Sequence, residues 1–241
     1  MPKFVELWVY LSATPLFGLT ATLVVYVLAQ AAYARLQQAP WANPVLWTVL
    51  TIAGVLLATG VSYPTYFAGA QFIHFLLGPA VVALAWPLWE RRTELRQRWG
   101  VLLLAALAGG VAASGSALAL GWALGLPHEV VVSLAPKSVT APVAMGIAEK
   151  IGGIPALAAV FAVITGMVGA LSGKYLFDAL KIPTDAAGWR ARGFALGTAA
   201  HGIGAARALQ VNADAGAYAG LALGLQVILA SLLMPLAFKL F

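Results

Sequence analysis

The sequence has no cysteine and very little charge. Its 241 residues include only 8 acidic and 14 Lys or Arg side chains, so 9% of the chain is charged, against about 25% in an ordinary soluble domain. The missing cysteine excludes a disulfide framework, thiol chemistry and any Cys-ligated metal site. The missing charge excludes a soluble fold, because 62% of the residues are hydrophobic and the mean hydropathy is +0.91. The bilayer is therefore the solvent. The formal net charge of +6 does not point to nucleic acid. Its densest part, Arg91, Arg92, Arg96 and Arg98, has the pattern of a cytoplasmic loop between membrane passes. Enzyme signatures are missing too. The few acids form no close pair inside an apolar stretch, and no GxSxG, HExxH or phosphate-binding loop occurs. Neither enzyme chemistry, a cofactor nor a metal centre is expected.

What is present is a set of long uncharged runs. Residues 7–34, 100–127, 151–173 and 215–238 contain no Asp, Glu, Lys or Arg, and a crossing needs roughly 20 apolar residues. The run 36–89 is longer and is interrupted by Pro44, Pro64, His74, Pro79 and Pro87, so it must fold into several passes. The first run is too long for a secretion-signal core and is read as a mature helix. The pattern predicts helices near 14–35, 45–61, 76–90, 100–122, 155–177, 190–210 and 215–238, with 62–75 and 129–150 broken. The expectation is an all-α, polytopic transmembrane bundle with broken or re-entrant helices, forming one domain over 1–241.

Positive charge tests the topology. Arg35, the Arg91–Arg98 cluster, and Lys181 with Arg190 and Arg192 should all lie inside. They do so only if 62–75 and 129–150 each return to the side they entered. A weak likeness links 66–90 with 197–239: each has a Gly- and His-containing segment, then an aliphatic helix with proline near its end. Repeated halves with broken helices are a common transporter plan.

Three segments carry candidate chemistry. In LAPKSVTAPVAMGIAEK, 134–150, Lys137, Ser138 and Thr140 lie between Pro136 and Pro142. The prolines remove donors and disfavour helix before them, and freed backbone groups cannot face lipid. With Glu129, Glu149 and Lys150 as charged feet, the turn near Lys137 lies deep in the membrane. There a cation and exposed N–H groups at a half-helix start attract an anion. The alternative is a lysine that snorkels to an interface. In 196–208, Thr198, His201 and Arg207 are the polar groups among glycines and alanines. His201 and Arg207 point apart on an unbroken helix, and a break around 202–204 would bring them together. His titrates near neutral pH and suits coupling or gating; a neutral His bonded to a carbonyl at a tight helix contact is equally consistent. In 62–74, Tyr63 and Tyr66 fit an interfacial belt, while Gln71 is the better ligand candidate. Gln226 and Ser231 read as helix glue.

The segments LAPKSVTAPVAMGIAEKIGGIPALAAVF and RGFALGTAAHGIGAARAL, with YFAGAQFIHFLLGPAVVALAWPLW before them, resemble the LrgB/CidB family, which includes YohK-like proteins. The resemblance covers nearly the whole chain. Members often carry an acid directly after the methionine of the first segment, where this chain has Gly146; Glu149, three residues on, does not simply replace it. The resemblance implies two functions. Bacterial members are described as antiholin-like modulators of murein hydrolase export and cell lysis. The plastidial relative is a glycolate/glycerate transporter, and related bacterial systems are linked to pyruvate uptake. A separate LrgA/CidA-like membrane partner is implied as well.

The reading favoured on the residues is transport of small monocarboxylates such as glycolate, glycerate, lactate or pyruvate. Lys137, Ser138, Thr140, Thr198, His201 and Gln71 would hold the anion, and His201, Arg207 and Glu149 would couple or gate. The alternative is a lysis regulator working by membrane assembly, for which Gly109, Gly110, Ala113 and Ser114 offer a small-residue face. A homo-oligomer, with a dimer favoured, in the bacterial cytoplasmic membrane is expected either way. A pure scaffold would leave the buried lysine unexplained.

Overall fold

The computed structural model describes residues 15–76 and 92–239, with Pro79, Val82, Trp86 and Trp89 between them. All regular structure among the described residues is helical, as expected. The chain divides into two compact units, Met1–Ala83 and Leu84–Phe241. The expected helix 76–90 lies almost wholly outside the described residues.

The first unit holds α1 (Pro15–Arg35), a short turn at Pro40–Ala42, α2 (Pro44–Thr59) and α3 (Tyr63–Phe75). Asn43 caps α2 by accepting from the Val45 amide at 2.9 Å, and Gly60 ends it at φ 67°. Gly18 lets α1 approach α3, since a Cβ there would stand 2.1 Å from the Tyr66 carbonyl oxygen. The Thr22 and Tyr66 hydroxyls meet at 2.7 Å beside it. The expected break in 62–75 is not found. Pro64 occupies the first turn of α3, where its missing N–H breaks no helical bond.

The second unit holds α4 (Arg92–Ala123), α5 (His128–Leu134), α6 (Ala141–Ile151), α7 (Pro155–Ala179), α8 (Ala186–Val211) and α9 (Ala213–Ala237). Among the described residues, four helices are long and apolar enough to cross a membrane: Leu16–Arg35 in the first unit, and Arg96–Ala123, Pro155–Ala179 and Ala213–Ala237 in the second. α4 begins at Arg92, Arg96 and Arg98, so its starting end defines an arginine face. α9 runs parallel to α4. One groove between them is lined by Arg96, Leu102 and Leu221, another by Ser114, Leu118 and Ala237. Gln226 joins the two helices by donating from Nε2 to the Ala106 carbonyl, so it is the glue its position suggested.

The broken segment 129–150 is a re-entrant hairpin. α5 and α6, of 7 and 11 residues, are each too short to cross. Ser114 Oγ donates to the Ala135 carbonyl at 2.8 Å. Ser114 lies nine residues before the end of α4, about 14 Å along the axis, which is roughly half of a 30 Å hydrocarbon layer. The chain then returns. Ser133 Oγ donates to the Glu129 carbonyl at 2.6 Å and accepts from the Ile154 amide at 2.7 Å, so α7 starts beside α5.

The helix expected near 190–210 is interrupted, one residue before the break considered around 202–204, and forms a second hairpin. His201 has φ 41° and ψ −133°, and the chain reverses there. A Cβ on Gly204 would stand 2.6 Å from the Leu196 carbonyl oxygen; on a straight helix, residues eight apart are about 12 Å apart. The first limb, 186–200, runs antiparallel to α7, with Gly173 facing Leu196 and Gly169 facing Ala200. It runs parallel to α9, where a Cβ on Gly193 or Gly197 would stand 2.1 Å from the Ala215 or Ala219 carbonyl oxygen. The second limb, 202–211, returns to the arginine face, and Gly216 packs on Leu209. Only residues without side chains admit three backbones this close.

Two hairpins thus enter the second unit from opposite faces, one before α7 and one after it. Arg92, Arg96, Arg98, Lys181, Arg190 and Arg192 share one face, as the charge pattern requires of a returning 129–150. The likeness between 66–90 and 197–239 does not coincide with this pair.

Candidate functional site

The two hairpin tips meet. A Cβ on Gly202 would stand 4.0 Å from the Thr140 γ-methyl. Their depth follows from the neighbouring helices. Ala135 is held about 14 Å from the end of α4. The His201 ring lies against Gly166 of α7, eleven residues and about 16 Å from that helix's start. Both tips are near the middle of the crossing.

The first tip is built by its prolines. Pro136 is fully buried, and Pro142 occupies the first turn of α6, so 135–140 forms turns between two short helices. Thr140 is the N-cap of α6 at φ −61° and ψ 146°, yet its hydroxyl makes no capping bond. The first N–H groups of α6 have no intrahelical partner and carry the positive end of the helix dipole. Ser138 is 5% exposed, and its Oγ is buried without a partner. Lys137 is half-buried, and among the described residues no carboxylate pairs with it. One cation, two uncommitted hydroxyls and a helix start therefore share one turn.

The second tip is a single residue. His201 is 3% exposed, and its Nε2 lies 2.7 Å from the Ala162 carbonyl oxygen. A carbonyl only accepts, so Nε2 carries a hydrogen and Nδ1 remains for another partner. A non-glycine residue with positive φ in this region stores strain of about 1–3 kcal/mol, and the Ala162 bond helps to hold it.

The remaining candidates are scattered. Thr198 lies one turn before His201; its Oγ1 is buried without a partner, but its methyl faces Gly109 of α4. The break falls at His201 itself and not around 202–204, so Arg207 is carried away from the ring. It lines a cavity at the arginine face with Asp178 and Arg192. Glu149 is exposed at the outer end of α6, two and a half turns from Thr140. Gln71, in the first unit, donates from Nε2 to the Ala68 carbonyl of its own helix at 2.8 Å.

Two supports escaped the sequence reading. Ser114, noted only as part of a small-residue face, fixes the first tip. Arg192, noted only as a topological charge, pairs with Asp178 at 2.9 Å and donates to the Ile182 carbonyl. Fourteen residues separate that pair, and no local pattern announces it.

Comparison with known proteins gives consistent matches. The LrgB-like family matches residues 22–240. The Bacillus subtilis protein YxaC is 35% identical over 202 residues, covering 84% of this chain and 86% of that protein. An uncharacterized protein of Haemophilus influenzae is 34% identical over 198 residues, covering 82% and 84%. Holin-like protein CidB of Staphylococcus aureus is 30% identical over 223 residues, covering 91% and 94%. No solved structure matches the chain.

Proposed function

The chain belongs to the LrgB-like family, and on that premise we propose that it is a secondary transporter of small organic monocarboxylates, of the glycolate, glycerate, lactate or pyruvate type. The observation that carries this reading is the meeting of two hairpins from opposite faces beside Lys137. Discontinuous helices whose N-termini face a midplane site suit an anionic substrate. The carboxylate sits against Lys137 and the first N–H groups of α6, with Ser138 orienting it. The hydroxyl or keto oxygen meets Thr140 or the free Nδ1 side of His201. Alternating access then opens one hairpin at a time, and His201 is the group placed to couple a proton to the cycle. The arginine face is cytoplasmic by its charge, in a bacterial cytoplasmic membrane. Small-residue faces support a homodimer.

A second reading is favoured by a different observation. The relatives named Holin-like protein CidB stand closer to an antiholin-like regulator of murein hydrolase export and lysis, working by membrane assembly with an LrgA/CidA-like partner. A solute carrier also alters lysis indirectly, through metabolite and proton balance. Uptake of radiolabelled glycolate, lactate and pyruvate into liposomes separates the readings. Saturable uptake that Lys137→Ala and His201→Ala abolish supports transport. Dye leakage without saturable uptake of any carboxylate supports the regulator.

A further inference from the structure

The mouth of the second hairpin holds a cavity of about 210 Å³ that neither reading uses. Its space is roughly seven times the 30 Å³ share of one water, enough for a group of a few heavy atoms. Its walls are mostly apolar, and its charged lining groups are Lys174, Arg192, Arg207 and the carboxylate of Asp178.

Arg192 is the built part of this site. It is 6% exposed and is gripped from several sides. Asp178 pairs with it at 2.9 Å, and the Phe177 and Trp189 ring centroids lie 5.6 and 5.5 Å from its guanidinium carbon. Even so, its Nε is buried without a partner, an arrangement that costs free energy unless a ligand or water completes it. Lys174 is exposed, and among the described residues nothing pairs with it. Arg207, buried on the returning limb, adds a third positive charge. In a half-enclosed apolar wall, the Lys174 ammonium beside the open Nε of Arg192 attracts an anion.

We propose that this cavity binds a small oxyanion, a carboxylate or phosphate group, as a station separate from the hairpin tips. Arg207 lies six residues from His201, about 9 Å along the limb, so one small anion does not bridge both places. The station does not depend on translocation, and its test is independent of the tip site.

The test is calorimetric titration of inorganic phosphate, and then pyruvate, into the full chain in nanodiscs of neutral lipid. One phosphate per chain is expected, with affinity falling as salt rises. Lys174→Gln weakens binding about tenfold without changing the ligand-free melting temperature, since the residue is exposed. Arg207→Gln removes binding and Arg207→Lys restores most of it, while Lys137→Ala leaves it intact. Competition by pyruvate assigns a soluble carboxylate as the source. Suppression by phosphatidylglycerol in the nanodisc assigns a lipid headgroup. Absence of phosphate binding to the wild type overturns the proposal, as does binding that survives Lys174→Gln but disappears in Lys137→Ala.

Discussion

The two hairpins of the second unit reverse the chain at similar depth by opposite means. The first spends six residues and two prolines on its turn, leaving a lysine, hydroxyls and a helix start uncommitted. The second spends one residue, His201, in a strained conformation held by one bond to Ala162. A turn made of many residues exposes polar groups for a ligand to satisfy. A turn made of one residue exposes almost nothing and stores its requirement as backbone strain. The pair therefore divides the work: the proline turn presents chemistry, and the histidine turn holds a strained reversal.

That division can be broken at several places. The largest effect is expected at Gly197, where any Cβ collides with the Ala219 carbonyl. Gly197→Val should cost more than about 3 kcal/mol and leave little monodisperse protein in detergent chromatography. Lys137→Ala comes next. It should preserve folding and lower carboxylate uptake by about a hundredfold, as for loss of a buried charge-assisted contact; uptake within twofold of wild type would remove the first tip from the site. At the second tip, His201→Gly and His201→Ala both lose the Ala162 bond, but only glycine relieves the positive φ. The glycine variant should melt as the more stable by about 1 kcal/mol, and equal melting would mean that the joint carries no strain. The smallest effect is at Ser114→Ala, which removes the bond to Ala135. It should destabilise by about 0.6–1 kcal/mol, with uptake falling less than at Lys137.

The same contrast explains what the sequence discloses. The proline turn was legible because its markers are local: Pro136 and Pro142 each forbid a helical bond, and Lys137 cannot face lipid. The charge-free runs placed α1, α7 and α9, and the arginine pattern required 129–150 to return. The histidine turn was legible only as one alternative, a break around 202–204, and not as a reversal of the chain. Residues 196–208 contain no proline, and their alanines and glycines fit a straight helix as well as a folded one. What bends them is tertiary, the close fit of Gly193, Gly197 and Gly204 against neighbouring backbone, which no window of sequence displays. Pro64 misled in the other direction, because a proline marks either the inside of a broken helix or the start of a whole one. The Arg192–Asp178 pair was hidden for the same reason as the fold-back, since it exists only once α7 and α8 lie side by side.

Ser133 adds a mechanical consequence. One hydroxyl bonds to both the Glu129 carbonyl and the Ile154 amide, latching the last turn of α5 to the head of α7. The inner end of α5 and that helix head are thus tied together close to the first tip. The first limb of the second hairpin meets α9 through Gly193 and Gly197 against carbonyls and through the Arg190 guanidinium over the Tyr218 ring. Parting the tips thus requires breaking the Ser133–Ile154 bond on one side or the His201–Ala162 bond on the other.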